Sequence, residues 1–244
     1  MLDLFSGIGG FSLGLERTGG FETVAFCEIE QFPRKVLAKH WPEVPCYEDV
    51  RKLTAVKLAA DGITVDVICG GFPCQDISTA GKGAGIAGAR SGLWKEYARL
   101  ISEIRPRFVI VENVSALLGR GLDVVLGDLA EIGYDAEWHC IPVSAIGAPH
   151  RRDRIWIVAN AECIGSSRQG QHEYAISPEA SSDRQTIKFV DGSFANQWSV
   201  EPNVGRVAHG VPNRVDRLKA LGNSVVPQIP EMIGNAILEN LKQN

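Results

Sequence analysis

Through about residue 160, short apolar runs alternate with segments of helical periodicity, and this alternation limits the fold more than any other feature of the chain. Strands are expected at residues 2–5, 23–27, 65–69, 108–111, 134–140 and 155–159. Helices are expected between them, at residues 10–17, 33–40, 53–60, 93–104 and 122–132. Strands joined through helices run parallel. The pattern therefore predicts an α/β chain whose mostly parallel sheet is flanked by helices on both faces. From Asn160 to about Asn213 the character changes, and Ser, Gln, Gly, Asn and Pro dominate. A structureless loop of that length is at odds with a compact domain, so a small inserted unit is expected there. Residues 215–229 and the amphipathic stretch 232–241 restore a folded pattern. The expected division is a main domain at 1–159, an insert at 160–213, and a return to the main domain at 214–244.

The run Gly70-Gly71-Phe72-Pro73-Cys74-Gln75-Asp76-Ile77-Ser78 follows the third expected strand. A strand that ends in glycines and then Pro-Cys puts a thiol on a stiff loop at a sheet edge, where open α/β sheets bind ligands. Six cysteines, at 27, 46, 69, 74, 140 and 163, contain no Cys-x-x-Cys pair. They read as reduced thiols, with no disulfide framework and no metal site. No apolar run reaches the length of a membrane span, and Met1-Leu2-Asp3-Leu4-Phe5 reads as a strand, not a secretory leader. A cytoplasmic location is expected. Net charge is −4, so bulk charge does not advertise nucleic acid. The charge is uneven, however. Residues 1–150 carry 14 Lys/Arg against 19 Asp/Glu, and residues 151–244 carry 11 against 10. Basic residues cluster at Arg151, Arg152 and Arg154, and again at Arg206, Arg214, Arg217 and Lys219. Such clusters suit local phosphate contacts on an acidic protein.

Asp3-Leu4-Phe5-Ser6-Gly7-Ile8-Gly9-Gly10-Phe11 reads as a strand, a glycine turn and a helix start. A turn of this kind lets backbone approach a ligand and aims helix N–H groups at it. The dinucleotide fingerprint fails, because its third glycine falls on Ser12. A nucleoside without a pyrophosphate fits better. Glu28 ends the second expected strand, about where an acid accepts hydrogen bonds from ribose hydroxyls; Glu30 is its nearest competitor. Asp49 could meet an adenine amino group or cap a helix ahead of Leu53.

Five segments in order resemble motifs of the cytosine-5 DNA methyltransferases. They are Asp3–Phe11, Gly71-Phe72-Pro73-Cys74-Gln75, Glu112-Asn113-Val114, Arg152-Asp153-Arg154-Ile155, and Gly222-Asn223-Ser224-Val225-Val226-Pro227. The resemblance spans nearly the whole chain apart from 160–213. It implies a Rossmann-like methyltransferase fold, a small inserted target-recognition region and S-adenosylmethionine as cofactor. It places Phe5 on the adenine, with Ser6, Gly7, Gly9 and Gly10 forming the turn. Glu28 and Ile29 take the ribose side, and Asp49 and Val50 the adenine edge. Gly71, Pro73, Leu93, Asn223 and Ser224 complete the cofactor pocket.

The implied reaction is transfer of a methyl group to C5 of a flipped-out cytosine in duplex DNA. Cys74 is then the nucleophile that adds to C6. Glu112 serves the N3 position, while Arg154 and Arg152 offset charge at O2 or contact phosphate. Gln75 and Ser78, in a glycine-rich stretch after the nucleophile, and Arg184 and Lys188 of the insert, are the expected DNA contacts, with Trp198 a further residue to test. The resemblance also implies a bacterial or phage-encoded monomer that acts on double-stranded DNA, with a cognate restriction endonuclease as partner. The insert is shorter than the family's usual recognition region, and the segment before the last motif is matched only by Arg214-Val215-Asp216-Arg217-Leu218. Alternatives are a tRNA cytosine-5 methyltransferase of the same fold and a non-catalytic DNA-binding module. The first is disfavoured by Pro-Cys-Gln-Asp-Ile-Ser, the second by the presence of Cys74, Glu112 and Arg154. Ser12 disfavours a nicotinamide oxidoreductase.

Overall fold

The computed structural model describes residues 1–73, 92–148, 152–161 and 214–243. Its elements run β1 (Leu2–Leu4), α1 (Gly10–Arg17), β2 (Ala25–Cys27), α2 (Gln31–His40), β3 (Cys46–Tyr47), α3 (Ala55–Ala60), β4 (Val67–Gly70), α4 (Leu93–Ile104), β5 (Phe108–Val114), α5 (Leu122–Ile132), β6 (Tyr134–Pro142), β7 (Asp153–Ala161), α6 (Arg214–Asn223) and α7 (Gln228–Gln243). Among the described residues seven strands form one sheet, in the order β3-β2-β1-β4-β5-β7-β6. Strands β1 to β5 are mutually parallel where they pair. Strand β7 runs antiparallel to both β5 and β6. The winding reverses between β1 and β4, and ligand crevices of open α/β sheets form outside the strand ends at such a point. This is the Rossmann-like methyltransferase architecture, mixed at one edge.

Alternation along the strands sorts the core into two layers. Leu2, Leu4, Ile68, Val109, Val111, Ile155 and Ile157 face one side, against Leu58 of α3, Trp94, Tyr97, Leu100 and Ile101 of α4, and Val125 and Leu129 of α5. Val67, Cys69, Ile110 and Trp156 face the other, against Phe11 and Leu15 of α1 and Ile229, Ile233 and Ile237 of α7. The α7 residues recur every four positions, a helical stripe. Burying such a side chain stabilises by about 1.5–3 kcal/mol, as an upper estimate. Helices α1 and α7 approach so closely that a Cβ at Gly14 would collide with the Pro227 carbonyl. Helix α7 thus packs on α1, against the second core layer of the sheet.

Three local differences from the sequence reading have simple causes. Helix α2 begins at Gln31, not Pro33, because proline is tolerated in a first turn whose N–H groups have no helical partner. Helix α3 begins at Ala55, since the Thr54 hydroxyl accepts from the Lys57 N–H at 3.1 Å and caps it. The two-residue β3 lacks an apolar run, and it forms only by edge pairing with β2. Strand β7 also continues through Asn160 and Ala161, two residues past the expected end of the main domain. Among the described residues no helix is long and apolar enough to cross a membrane.

Candidate active site

The described residues expected at the site gather at one edge because the strands carrying them end there. The turn after β1, Glu28 after β2, Asp49 after β3, Gly71 to Pro73 after β4 and the Glu112 end of β5 all lie at carboxyl ends of parallel strands. Strand β7 reaches the same edge by its amino end, because it is antiparallel: Arg154 pairs with Val114, and Trp156 with Glu112.

The nucleoside side is built on positive backbone torsions. Gly7 and Gly9 have φ of +54° and +85°, and Phe5 has φ of +53°. Glycine adopts that region freely; phenylalanine does so at a cost of roughly 1–3 kcal/mol, and such strain collects at functional sites. Phe5 is thereby turned out of the strand, half-buried, with its ring stacked 6.3 Å from Tyr97. A Cβ at Gly7 would meet nothing within 4 Å, so the turn opens onto space. Glu28 is buried, and its carboxylate accepts from the Gly7 N–H at 2.8 Å and the Glu30 N–H at 2.7 Å. One acid thus fixes the turn against the end of β2 and keeps lone pairs for a diol. Glu30 is exposed and pairs with Lys219 at 2.9 Å, so Glu28 is the ribose candidate. Ile29, 62% exposed, offers an apolar surface beside it. Ser6 is buried, donating to the Asp3 carbonyl at 2.6 Å. These features fit an adenosyl group: a stacking ring, an acid for the ribose and a turn with room above it.

Asp49 does not cap a helix. Its carboxylate is held by the Arg51 guanidinium, with both oxygens at 2.8 Å, and accepts the Arg51 N–H at 3.0 Å. The arginine lowers its pKa, so the group is ionised and able to accept from an amino group. Val50 is buried beside it. Leu93 packs in the first turn of α4 against the same core layer. Ser224 and Val225 lie against the first turn of α1, where a Cβ on Gly10 would come within 2.5 Å of the Val225 carbonyl. Asn223 ends α6 and is exposed. Beneath the turn, Asp3 is fully buried, accepts from the Ser12 hydroxyl at 2.8 Å, and has its other oxygen unpartnered. Burial pushes its pKa up to about 8, against the lowering effect of that hydrogen bond.

The side expected to be catalytic is a shallow cleft lined by Glu112, Arg152, Arg154, Val143, Trp156, Val225, Val226 and Ile229. Glu112 Oε1 pairs with Arg154 Nε at 2.8 Å, the two side chains being 13% and 24% exposed. Burial raises the Glu112 pKa, while Arg154 and Arg152 oppose the rise. The carboxyl is therefore poised to hold a proton more readily than a solvated acid. Its second oxygen lies only 2.7 Å from where a Cβ on Gly71 would stand. Asn113, buried, donates from Nδ2 to the Phe72 carbonyl at 3.1 Å. That bond ties β5 to the chain two residues before Cys74. Cys74, Gln75, Ser78, Arg184, Lys188 and Trp198 lie outside the described residues, as does most of the expected insert at 160–213. The described cysteines are poor nucleophiles, since burial pushes up the thiols of Cys27, to about 12, and of Cys46, Cys69 and Cys140.

Sequence reasoning missed Trp156, Val143, Val226 and Ile229 as cleft walls. All four are apolar and look like core residues; only the register of β7 and the packing of α7 bring them to the cleft. It also missed Trp41, whose ring would meet a Cβ on Gly9 at 2.7 Å and whose indole N–H donates to Glu16 at 2.9 Å, backing the glycine turn.

The family profile for C-5 cytosine-specific DNA methylases matches residues 1–201, and the chain belongs to that family. It is 34% identical over 168 residues to the type II methyltransferase M2.BsuMI of Bacillus subtilis, covering 66% of this chain and 41% of that protein. It is 32% identical over 205 residues to the type II methylase M.HgiEI of Herpetosiphon aurantiacus, covering 82% and 45% respectively. The chain thus spans less than half the length of either relative. A crystal structure of a Spodoptera frugiperda DNMT2 mutant superposes with a TM-score of 0.56 at 21% identity, covering 70% of this chain and 53% of that one. At that identity the likeness speaks for the fold alone.

Proposed function

We propose that this protein is a DNA (cytosine-5)-methyltransferase that moves a methyl group from S-adenosylmethionine to C5 of a cytosine flipped out of duplex DNA. The observation that carries the reading is the half-buried Glu112–Arg154 pair near the carboxyl end of β5, beside Gly71, three residues before Cys74 in the chain. When bound, S-adenosylmethionine supplies an electrophilic methyl group on a sulfonium. Phe5, Glu28 and Asp49 would hold its adenosine, as their stacking surface, buried acid and ionised carboxylate suit. The Cys74 thiolate adds to C6 of the base, and the displaced electron pair makes C5 nucleophilic. Glu112, protonated, donates to N3 as negative charge develops there. Arg154 keeps that carboxyl in place and faces O2. After C5 takes the methyl group, its proton leaves to solvent and the Cys74–C6 bond breaks, restoring the aromatic ring.

The names of the type II relatives support duplex DNA as the substrate and a modification system as the setting, with a restriction endonuclease of the same specificity as partner. We assign target reading to the insert and action as a monomer to the chain. Expression in a methylation-free bacterial host followed by bisulfite sequencing tests the core reading. Methylated cytosines confined to one short sequence, and lost with Cys74→Ser, are expected. Unmethylated DNA alongside soluble protein overturns the proposal. Replacing residues 165–205 with a short linker should keep S-adenosylhomocysteine binding and abolish site selectivity. Retained selectivity would place the reader elsewhere.

A further inference from the structure

We infer that Arg99 is a positioning residue for the cofactor pocket: from α4 it fixes the loop that presents Asp49 and Val50, and through that loop it sets the preference for adenine. The inference rests on the reading of Asp49 and Val50 as the adenine edge.

Arg99 Nη2 donates to the Val50 carbonyl at 3.0 Å and to the Leu53 carbonyl at 2.9 Å. Its other donors are held on its own helix, Nε by Glu96 at 2.8 Å and Nη1 by Glu103 at 2.6 Å. The head group therefore cannot swing away without breaking ion pairs on both sides. Glu103 extends the brace, since its second oxygen accepts from the Ala55 N–H at 3.0 Å. Residues 49–55 are thus fastened to α4 at three points. Within the loop, the Lys52 and Leu53 N–H groups return to the Asp49 carbonyl at 2.9 and 3.2 Å, and Val50 and Leu53 are buried. The carbonyls that Arg99 takes have no strand or helix to satisfy them, and strand β3 is only two residues long. The ladder cannot fix this loop; the guanidinium does. Lysine cannot replace it, because one ammonium cannot reach two carbonyls and two carboxylates in a planar fork.

A carboxylate acceptor favours the 6-amino group of adenine and repels the 6-oxo group of hypoxanthine. That discrimination depends on where Asp49 is held, so loosening the loop should erode it. General loss of stability would weaken both nucleosides alike. Titration calorimetry of S-adenosylhomocysteine and S-inosylhomocysteine against the wild type, Arg99→Lys, Arg99→Met and Asp49→Ala reads this directly. Arg99→Met should weaken the adenosyl ligand roughly tenfold, equivalent to about 1.4 kcal/mol, and leave the inosyl ligand nearly unchanged. Amide exchange at residues 50–55 should accelerate while β4 stays protected. Arg99→Lys should fall between, and it decides the matter if Arg99→Met does not fold. Wild-type discrimination in the arginine variants, with discrimination lost in Asp49→Ala, overturns the inference and leaves the reading of Asp49 standing. Unchanged discrimination in Asp49→Ala, or no binding of either ligand by the wild type, overturns both.

Discussion

Gly71→Ala is a one-carbon change aimed at Glu112, the proposed catalytic acid. The φ of Gly71 is not positive, so alanine can take the backbone without strain, and the loss of chain entropy in the unfolded state favours the variant slightly. The new methyl group has a single neighbourhood: Glu112 Oε2 at 2.7 Å and the Glu112 carbonyl at 3.4 Å. A comfortable C···O contact is about 3.3 Å, so the carboxyl must retreat by roughly 0.6 Å. The backbone of Glu112 cannot follow, because it is paired to Trp156 in the middle of β5–β7. The side chain must rotate instead, against its 2.8 Å contact with Arg154. If a 1 Å misplacement of a reacting group costs about a hundredfold in rate, this shift should cost about ten- to thirtyfold. The cost belongs to the chemical step. Single-turnover methyl transfer, on duplex DNA carrying the site found by bisulfite sequencing, should slow by that factor. The Kd for S-adenosylhomocysteine should move less than threefold, and the melting temperature should stay near that of the wild type. In a Glu112→Gln background the same change should add little, since the two act through one group. A Gly71→Ala enzyme with the wild-type single-turnover rate would refute the placement of Glu112 at the reacting base. A loss confined to cofactor affinity would show that Gly71 serves the cofactor instead.

Other expectations follow from the same geometry. Glu112→Gln should lower the transfer rate far more than it weakens cofactor binding, and an unchanged rate rules out the proposed role. Burial raises the Glu112 pKa, and the proposed step needs the protonated acid. The wild-type rate should therefore fall as pH rises through that raised value; a rate that climbs steadily across the range contradicts it. Asp3, with a folded pKa of about 8 against 3.8 unfolded, stabilises fully below pH 3.8 and loses that contribution as pH rises through about 8. Asp3→Asn should then come closest to the wild type in thermal melts near pH 4 and exceed it by a margin that grows as pH rises to 8, and parallel melting curves would show that the acid is solvated. DNA carrying 5-fluorocytosine should trap a covalent adduct, because fluorine cannot leave as the C5 proton does; an undiminished adduct in Cys74→Ser places the nucleophile elsewhere.

Residues whose chemistry needs a particular position were readable in the sequence. Glu28 and Glu112 are charged groups at the carboxyl ends of apolar runs, and the strand pattern alone puts such ends on one edge of a parallel sheet; Asp49, after a strand with no apolar run, and Arg154, at the amino end of β7, were placed by the family resemblance. The glycine turn was readable because φ near +54° and +85° at Gly7 and Gly9 demands that residue. What stayed hidden depended on partners distant in sequence. Leu53 looked like a helix start, yet Thr54 supplies the cap and Leu53 offers its carbonyl to Arg99. Arg99 itself is one basic residue on an amphipathic helix, with nothing local to mark its two carbonyl contacts. Phe5 reads as a core aromatic, and it does pack on the edge of that core against Tyr97; its positive φ, which no propensity predicts, is what stayed hidden.

The direction of β7 explains why acid and arginine meet. Had the last paired strand followed the others in parallel, its amino end would lie at the opposite edge of the sheet. Arg154 stands seven positions before the end of a nine-residue strand. Parallel pairing in the same span would set Arg154 opposite Phe108 in place of Val114; at about 3.3 Å per residue that leaves it roughly 13 Å from Glu112 along the sheet. The antiparallel turn is permitted because the link from β6 needs no crossover helix: a single 3₁₀ turn at Val143–Ile146 begins it. The same reversal aims Arg152, Arg154 and Trp156 at the face where α7 lies, so Val225, Val226 and Ile229 can close the cleft from the other side. Residues 224–227 and the α7 that follows them thus wall the cleft on one side and pack on the first turns of α1 at Gly10 and Gly14. The glycine turn and the Glu112 cleft are both backed by the segment that leads into α7, and holding two bound reactants in one fixed geometry is what the proposed methyl transfer would need.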